Sequence, residues 1–73
     1  MTHDPLDLAT ITPEMAAQVR RWRCDEEYSW RAVAQAACEL WGSEWGSNQI
    51  FGRDLCVAAA RLLGENPSQD PWN

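Results

Sequence analysis

His3 is the only imidazole in a chain of 73 residues, and it lies in a stretch with no periodic pattern to hold it. Nucleophilic catalysis by Ser or Cys needs a base within reach, most often His, so no such site is expected. Asp25, Glu26 and Glu27 are adjacent carboxylates, but consecutive helical residues point about 100° apart and cannot converge on one substrate atom. Cys24, Cys38 and Cys56 are odd in number and widely spaced, with no CxxC or Cys–His pair at zinc spacing. They read as reduced thiols acting as small hydrophobes. No glycine run cradles a phosphate, since Gly42, Gly46 and Gly52 are explained by caps and packing. The expectation is a non-enzyme with no catalytic residue, metal, cofactor or small-molecule substrate. What remains is the chemistry of binding, carried by five Trp and six Arg with no Lys.

Those side chains need a scaffold. Thr12-Pro13-Glu14 is a helix start: a hydroxyl cap, proline at the first helical position, and an acid at the positive dipole end. Met15, Val19 and Trp22 follow at i, i+4 and i+7, and the helix is expected to reach Tyr28. Within it Arg21 would pair with Asp25 and Arg23 with Glu27. Ser29 caps the clearest amphipathic helix, with Trp30, Val33, Ala34, Ala37, Leu40 and Trp41 on one side and Gly42 as its left-handed stop. A short turn over Ser43, Glu44, Trp45 and Gly46 leads to Ser47, the expected cap of a third helix. That helix runs Asn48 to Leu63 and is closed by Gly64 and Pro67.

The spacing predicts an all-α, compact three-helix bundle over residues 12–64. A mobile arm (1–11) precedes it and a mobile Pro-rich tail (65–73) follows. The expected core is Met15, Val19, Trp22, Trp30, Val33, Ala37, Leu40, Trp41, Phe51, Leu55, Ala59 and Leu62. Trp72 stands out in the tail, either as a strap packed back on the bundle or as an anchor for another chain.

Length and charge narrow the function. A domain of this size buries only ~60% of its unfolded surface, too little for a two-domain enzyme with a deep cleft. Apolar residues at 45% exclude full disorder. Eleven acidic against six basic side chains give a formal charge of −5, the wrong sign for a nonspecific polyanion binder and no obstacle to protein partners. Arg without Lys, beside abundant Ala, fits the coding bias of a GC-rich, bacterial genome. No apolar run approaches a membrane span and residues 1–10 lack the pattern of a signal peptide, so a cytoplasmic location is expected.

Ser29-Trp30-Arg31-Ala32-Val33-Ala34-Gln35-Ala36 resembles the first helix of helix-turn-helix DNA-binding domains of the resolvase and invertase type. Ser47-Asn48-Gln49-Ile50-Phe51-Gly52-Arg53 is similar to the start of their recognition helix. The family places a small residue where this chain has Cys38, and the first Gly is Gly42, so the first helix is expected to run about one turn longer. The resemblance implies a helix in the major groove, with Asn48 or Gln49 paired to adenine and Arg53 to guanine or a phosphate.

A second reading comes from the third helix itself. The run Cys56-Val57-Ala58-Ala59-Ala60 is apolar all round, and three short helices cannot cover every side of it. Either these are small exposed residues of no consequence or they form a partner surface. The expected surface combines Trp45 with Gln49, Arg53, Val57 and Ala60, and its occupant would be a protein or a second copy of the chain. The two functional readings are thus a helix-turn-helix-like DNA-binding regulator and an acidic protein–protein adaptor or inhibitor.

Overall fold

The structure, a computed structural model, describes residues 11–42 and 48–73. It has three helices and, among the described residues, no strand. The N-terminal arm up to residue 10, Trp45 and the Ser47 cap lie outside the described residues.

Helix α1 spans Pro13–Arg20. The Thr12 Oγ1 accepts the Met15 N–H at 3.1 Å, with Pro13 and Glu14 in the first turn as its sequence required. The helix does not continue in α geometry to Tyr28. Residues Arg21–Asp25 form a π turn, Glu26 N–H reaches back to the Arg21 carbonyl, and Glu27 reverses the chain at φ 56°. Aromatic packing accounts for the early stop. The buried Trp22 stacks on Tyr28 (ring centroids 6.5 Å apart, 2° between planes) and meets Trp41 at 5.4 Å. Folding Tyr28 back over Trp22 is incompatible with a helix through Tyr28. Neither expected i, i+4 ion pair forms among the described residues. Among the described residues the one ion pair is Arg20–Glu65, and Arg23 donates instead to the Tyr28 carbonyl at 2.7 Å.

Helix α2 spans Trp30–Trp41, capped by the Ser29 Oγ, which accepts the Ala32 N–H, and closed by Gly42 at φ 68°. Helix α3 spans Gln49–Leu62. Its cap is Asn48, one residue after the Ser47 expected, with Oδ1 accepting the Phe51 N–H at 2.8 Å. At its other end Gly64 N–H bonds the Arg61 carbonyl and Glu65 N–H the Ala60 carbonyl, a Schellman closure made possible by Gly64 at φ 76°.

Helix α3 packs against both α1 and α2. Val19, Val33, Ala37, Leu55 and Ala59 are fully buried, and Ile11, assigned to the arm from the sequence, joins them in the core. Two expected core residues do not: Leu40 is 59% and Leu62 47% exposed. In α2 the last inward place is taken by Trp41, leaving Leu40 at the edge. In α3 the buried residues are Phe51, Gly52, Leu55, Cys56, Ala59 and Ala60. That arc is turned from the expected one by roughly 55° at ~100° per residue.

The cause of the turn is the segment after α3, which is packed rather than free. Trp72 is 2% exposed, so the strap reading of this residue is the one observed. Its indole N–H donates to Glu65 Oε1 at 2.8 Å, and its carbonyl accepts the Arg23 Nε–H at 2.9 Å. Glu65 in turn receives the Arg20 Nε–H at 2.8 Å, so one carboxylate ties α1 to the strap. The indole N–H and the Arg20 guanidinium hold the Glu65 carboxyl below its ordinary value of 4.5, against a partial desolvation that acts the other way. A depressed carboxylate contributes stability above its unfolded pKa, and that contribution disappears as pH falls through the folded value. The urea midpoint is therefore expected to drop on acidification below about pH 4.5. In Glu65→Gln the neutral-pH midpoint should already be lowered and this part of the acid response absent. Equal acid responses in the two proteins would remove Glu65 from this role.

Candidate binding face

Gly52 sets the geometry from which the face is built. It stands in the first turn of α3, against the Trp30 backbone in the first turn of α2. A Cβ here would fall on the Trp30 carbonyl oxygen and 2.5 Å from its carbon. The crossing therefore brings the N-terminal turns of the two helices to the same side of the molecule. Ser29, Trp30 and Arg31 come beside Gln49 there, and all four line one shallow depression together with Arg23. On the other flank of Trp30 a deeper groove of about 380 Å³ opens between α3 and the C-terminal strap, with Arg53, Val57 and Arg61 on its helical wall.

Trp30 is the hub. The guanidinium carbon of Arg23 lies 5.4 Å from its ring centroid and that of Arg53 5.8 Å, both within cation–π range. Four of the six arginines, Arg23, Arg31, Arg53 and Arg61, thus line the two depressions beside Trp30. Among the described residues no Asp or Glu side chain lines either one. In a chain with eleven acids the charged side chains lining these two depressions are all arginines, while Glu27 and Asp70 line a third together with Arg23. Two helix N-termini, each carrying a partial positive charge, add to the arginines' charge.

The residues selected from the sequence divide. Gln49 and Arg53 are exposed on this face and Val57 is half-buried in the groove wall. Asn48 is exposed, but its amide oxygen already caps α3, so pairing it to a base would remove the cap. Ala60 is fully buried and belongs to the core rather than to an outer surface. Trp45 lies outside the described residues. The sequence did not indicate that Arg23, Arg31 and Arg61 would gather beside Trp30. Arg61 had a partial signal, two helical turns beyond Arg53. Arg23 had none, because the π turn that aims it toward Trp30 has no sequence signature.

The thiols are free. Burial pushes Cys56 up to about 12, which keeps it protonated, and desolvation also raises Cys24. Among the described residues no three His, Cys, Asp or Glu side chains gather as a metal site, and no helix is long and apolar enough to cross a membrane. Compared with known proteins, the chain matches no family model, and no curated protein or solved structure is significantly similar to it.

Proposed function

We propose that this protein is a noncatalytic, helix-turn-helix-like DNA-binding domain that engages the phosphate backbone through the Trp30 face and presents α3 to the bases. The observation that carries the reading is the segregation of Arg23, Arg31, Arg53 and Arg61 around Trp30, with no acid lining the depressions they form among the described residues. Arginine clusters and helix N-termini are the groups that hold phosphates, and Gln49 and Arg53 are exposed near the start of α3 where base edges would be met. The net charge of −5 limits nonspecific affinity, so binding should be weak and salt-dependent.

Two neutralised phosphates, at Arg31 and Arg61, give a slope of log K against log salt of about −1.8, or roughly a tenfold loss between about 50 and 200 mM salt. Fluorescence anisotropy with a labelled duplex measures this directly. Arg31→Gln should reduce the slope by about one, the share of a single phosphate contact. Absence of binding at the lowest salt would overturn the reading.

A second reading is favoured by one observation: Ile50 is 75% exposed on α3, on the same face as Arg53 and Val57. A large aliphatic residue at that position suits an adaptor or a homodimer interface. Sedimentation equilibrium of the wild type and Ile50→Glu distinguishes it, since only a self-associating protein would show a mass change on substitution.

A further inference from the structure

We propose that the groove between α3 and the C-terminal strap binds one phosphorylated nucleotide unit. Its choice of ligand rests on the nucleic-acid reading, but its geometry does not. The groove holds about 380 Å³, at the lower end of the range for small-molecule sites. Arg53 and Arg61 stand on one wall, eight residues and therefore about 12 Å apart along the helix axis, with Val57 between them. Pro67, Ser68, Trp72 and Asn73 line it from the strap, and Trp30 lines it beside Arg53.

The two arginines differ in what they offer. Arg53 lies over the Trp30 ring, so that end presents a planar guanidinium backed by an indole, a surface on which a base stacks. Arg61 pairs with no carboxylate among the described residues and is exposed, a guanidinium left for a phosphate. Val57 supplies an apolar surface between the two, suited to a sugar. A base, ribose and phosphate laid along α3 satisfy all three positions. A bare anion would use only the Arg61 end, and a neutral ring only the Trp30 end.

Such a unit has two sources, a free nucleotide or the phosphorylated end of a strand, and the test separates them. The full chain, labelled with nitrogen-15, is titrated with adenosine monophosphate, inorganic phosphate, and a single-stranded tetranucleotide with and without a 5′ phosphate. The assigned indole signals of Trp30 and Trp72 are followed. Adenosine monophosphate is expected to shift both, and Arg61→Gln to weaken it about tenfold or more, as the loss of a charge-assisted contact. A phosphorylated tetranucleotide that binds more tightly than the mononucleotide identifies a strand end as the source; equal affinity identifies the free nucleotide. The inference fails if neither phosphorylated ligand moves the two indoles, if inorganic phosphate moves them as strongly, or if Arg61→Gln binds as wild type does. Duplex anisotropy on the same samples keeps the two readings apart. Duplex binding without nucleotide shifts overturns the groove alone, and nucleotide shifts without duplex binding overturn the DNA-binding reading alone.

Discussion

Gly52→Ala is expected to remove a large share of the chain's stability, although alanine is the better helix former. An ordinary exposed helical glycine gains roughly 0.5–1 kcal/mol on replacement by alanine. At position 52 the added methyl would meet the Trp30 carbonyl, which belongs to the backbone and cannot swing aside as a side chain can. Relief requires α2 and α3 to move apart, opening the contact between the first turns of both helices. Overpacking of a core costs about 1–3 kcal/mol where side chains can yield, and a rigid neighbour places this case at or above the upper end. At ~0.05–0.15 kcal/mol per residue, 73 residues provide about 4–11 kcal/mol in all. Chemical denaturation followed by circular dichroism measures the loss, with Gly64→Ala as the control. Gly64 sits at φ 76° with open space around it, so its replacement should cost only ~1–2 kcal/mol of backbone strain. A Gly52→Ala protein as stable as wild type would show that the helices do not cross at this contact. The two arginine-lined depressions beside Trp30 would then lose their common origin.

The helices and most caps were legible because the signals are local. Thr12-Pro13, Ser29 and Gly42 each specify a terminus through their own backbone and hydroxyl chemistry, and the structure places a terminus at each. Two neighbouring cap residue types, Ser47 and Asn48, left the start of α3 uncertain by one position. The π turn was not legible, because the same residues satisfy an α or a π register and the choice is made by Trp22 meeting Tyr28 and Trp41. The face of α3 failed for a related reason. Phe51, Leu55 and Ala59 identified the side facing α1 and α2, but whether Cys56 and Ala60 were covered depended on a strap that returns from beyond the helix. Hence Gln49 and Arg53 are exposed as expected, Val57 is half-buried, and Ala60 is buried rather than on an outer face. Arg23 meets Trp72 across 49 residues of sequence, a separation over which no periodic pattern carries information.

Trp72→Ala is expected to cost ~3–5 kcal/mol, the range for truncating a buried large aromatic side chain. The residue is 2% exposed and among the largest fully buried side chains in the described chain, so little of its contact area is shared with solvent. Its loss would also deprive Glu65 of the indole N–H, whereas the backbone carbonyl that accepts from Arg23 is retained. A detached strap and a destabilised bundle are distinguished by two further observations. Cys56 lines the same groove as Trp72 and is protected by burial, so release of the strap should make it react with a thiol reagent at a rate that wild type does not show. Trp72→Phe retains most of the apolar bulk but cannot donate to Glu65. It should keep Cys56 protected, lose much less stability, and weaken the acid response, leaving only the part of the Glu65 shift that Arg20 supplies. If Trp72→Ala retains both its urea midpoint and an unreactive Cys56, the strap does not hold the fold. The rotation of α3 that buries Ala60 would then have to arise from α1 and α2 alone.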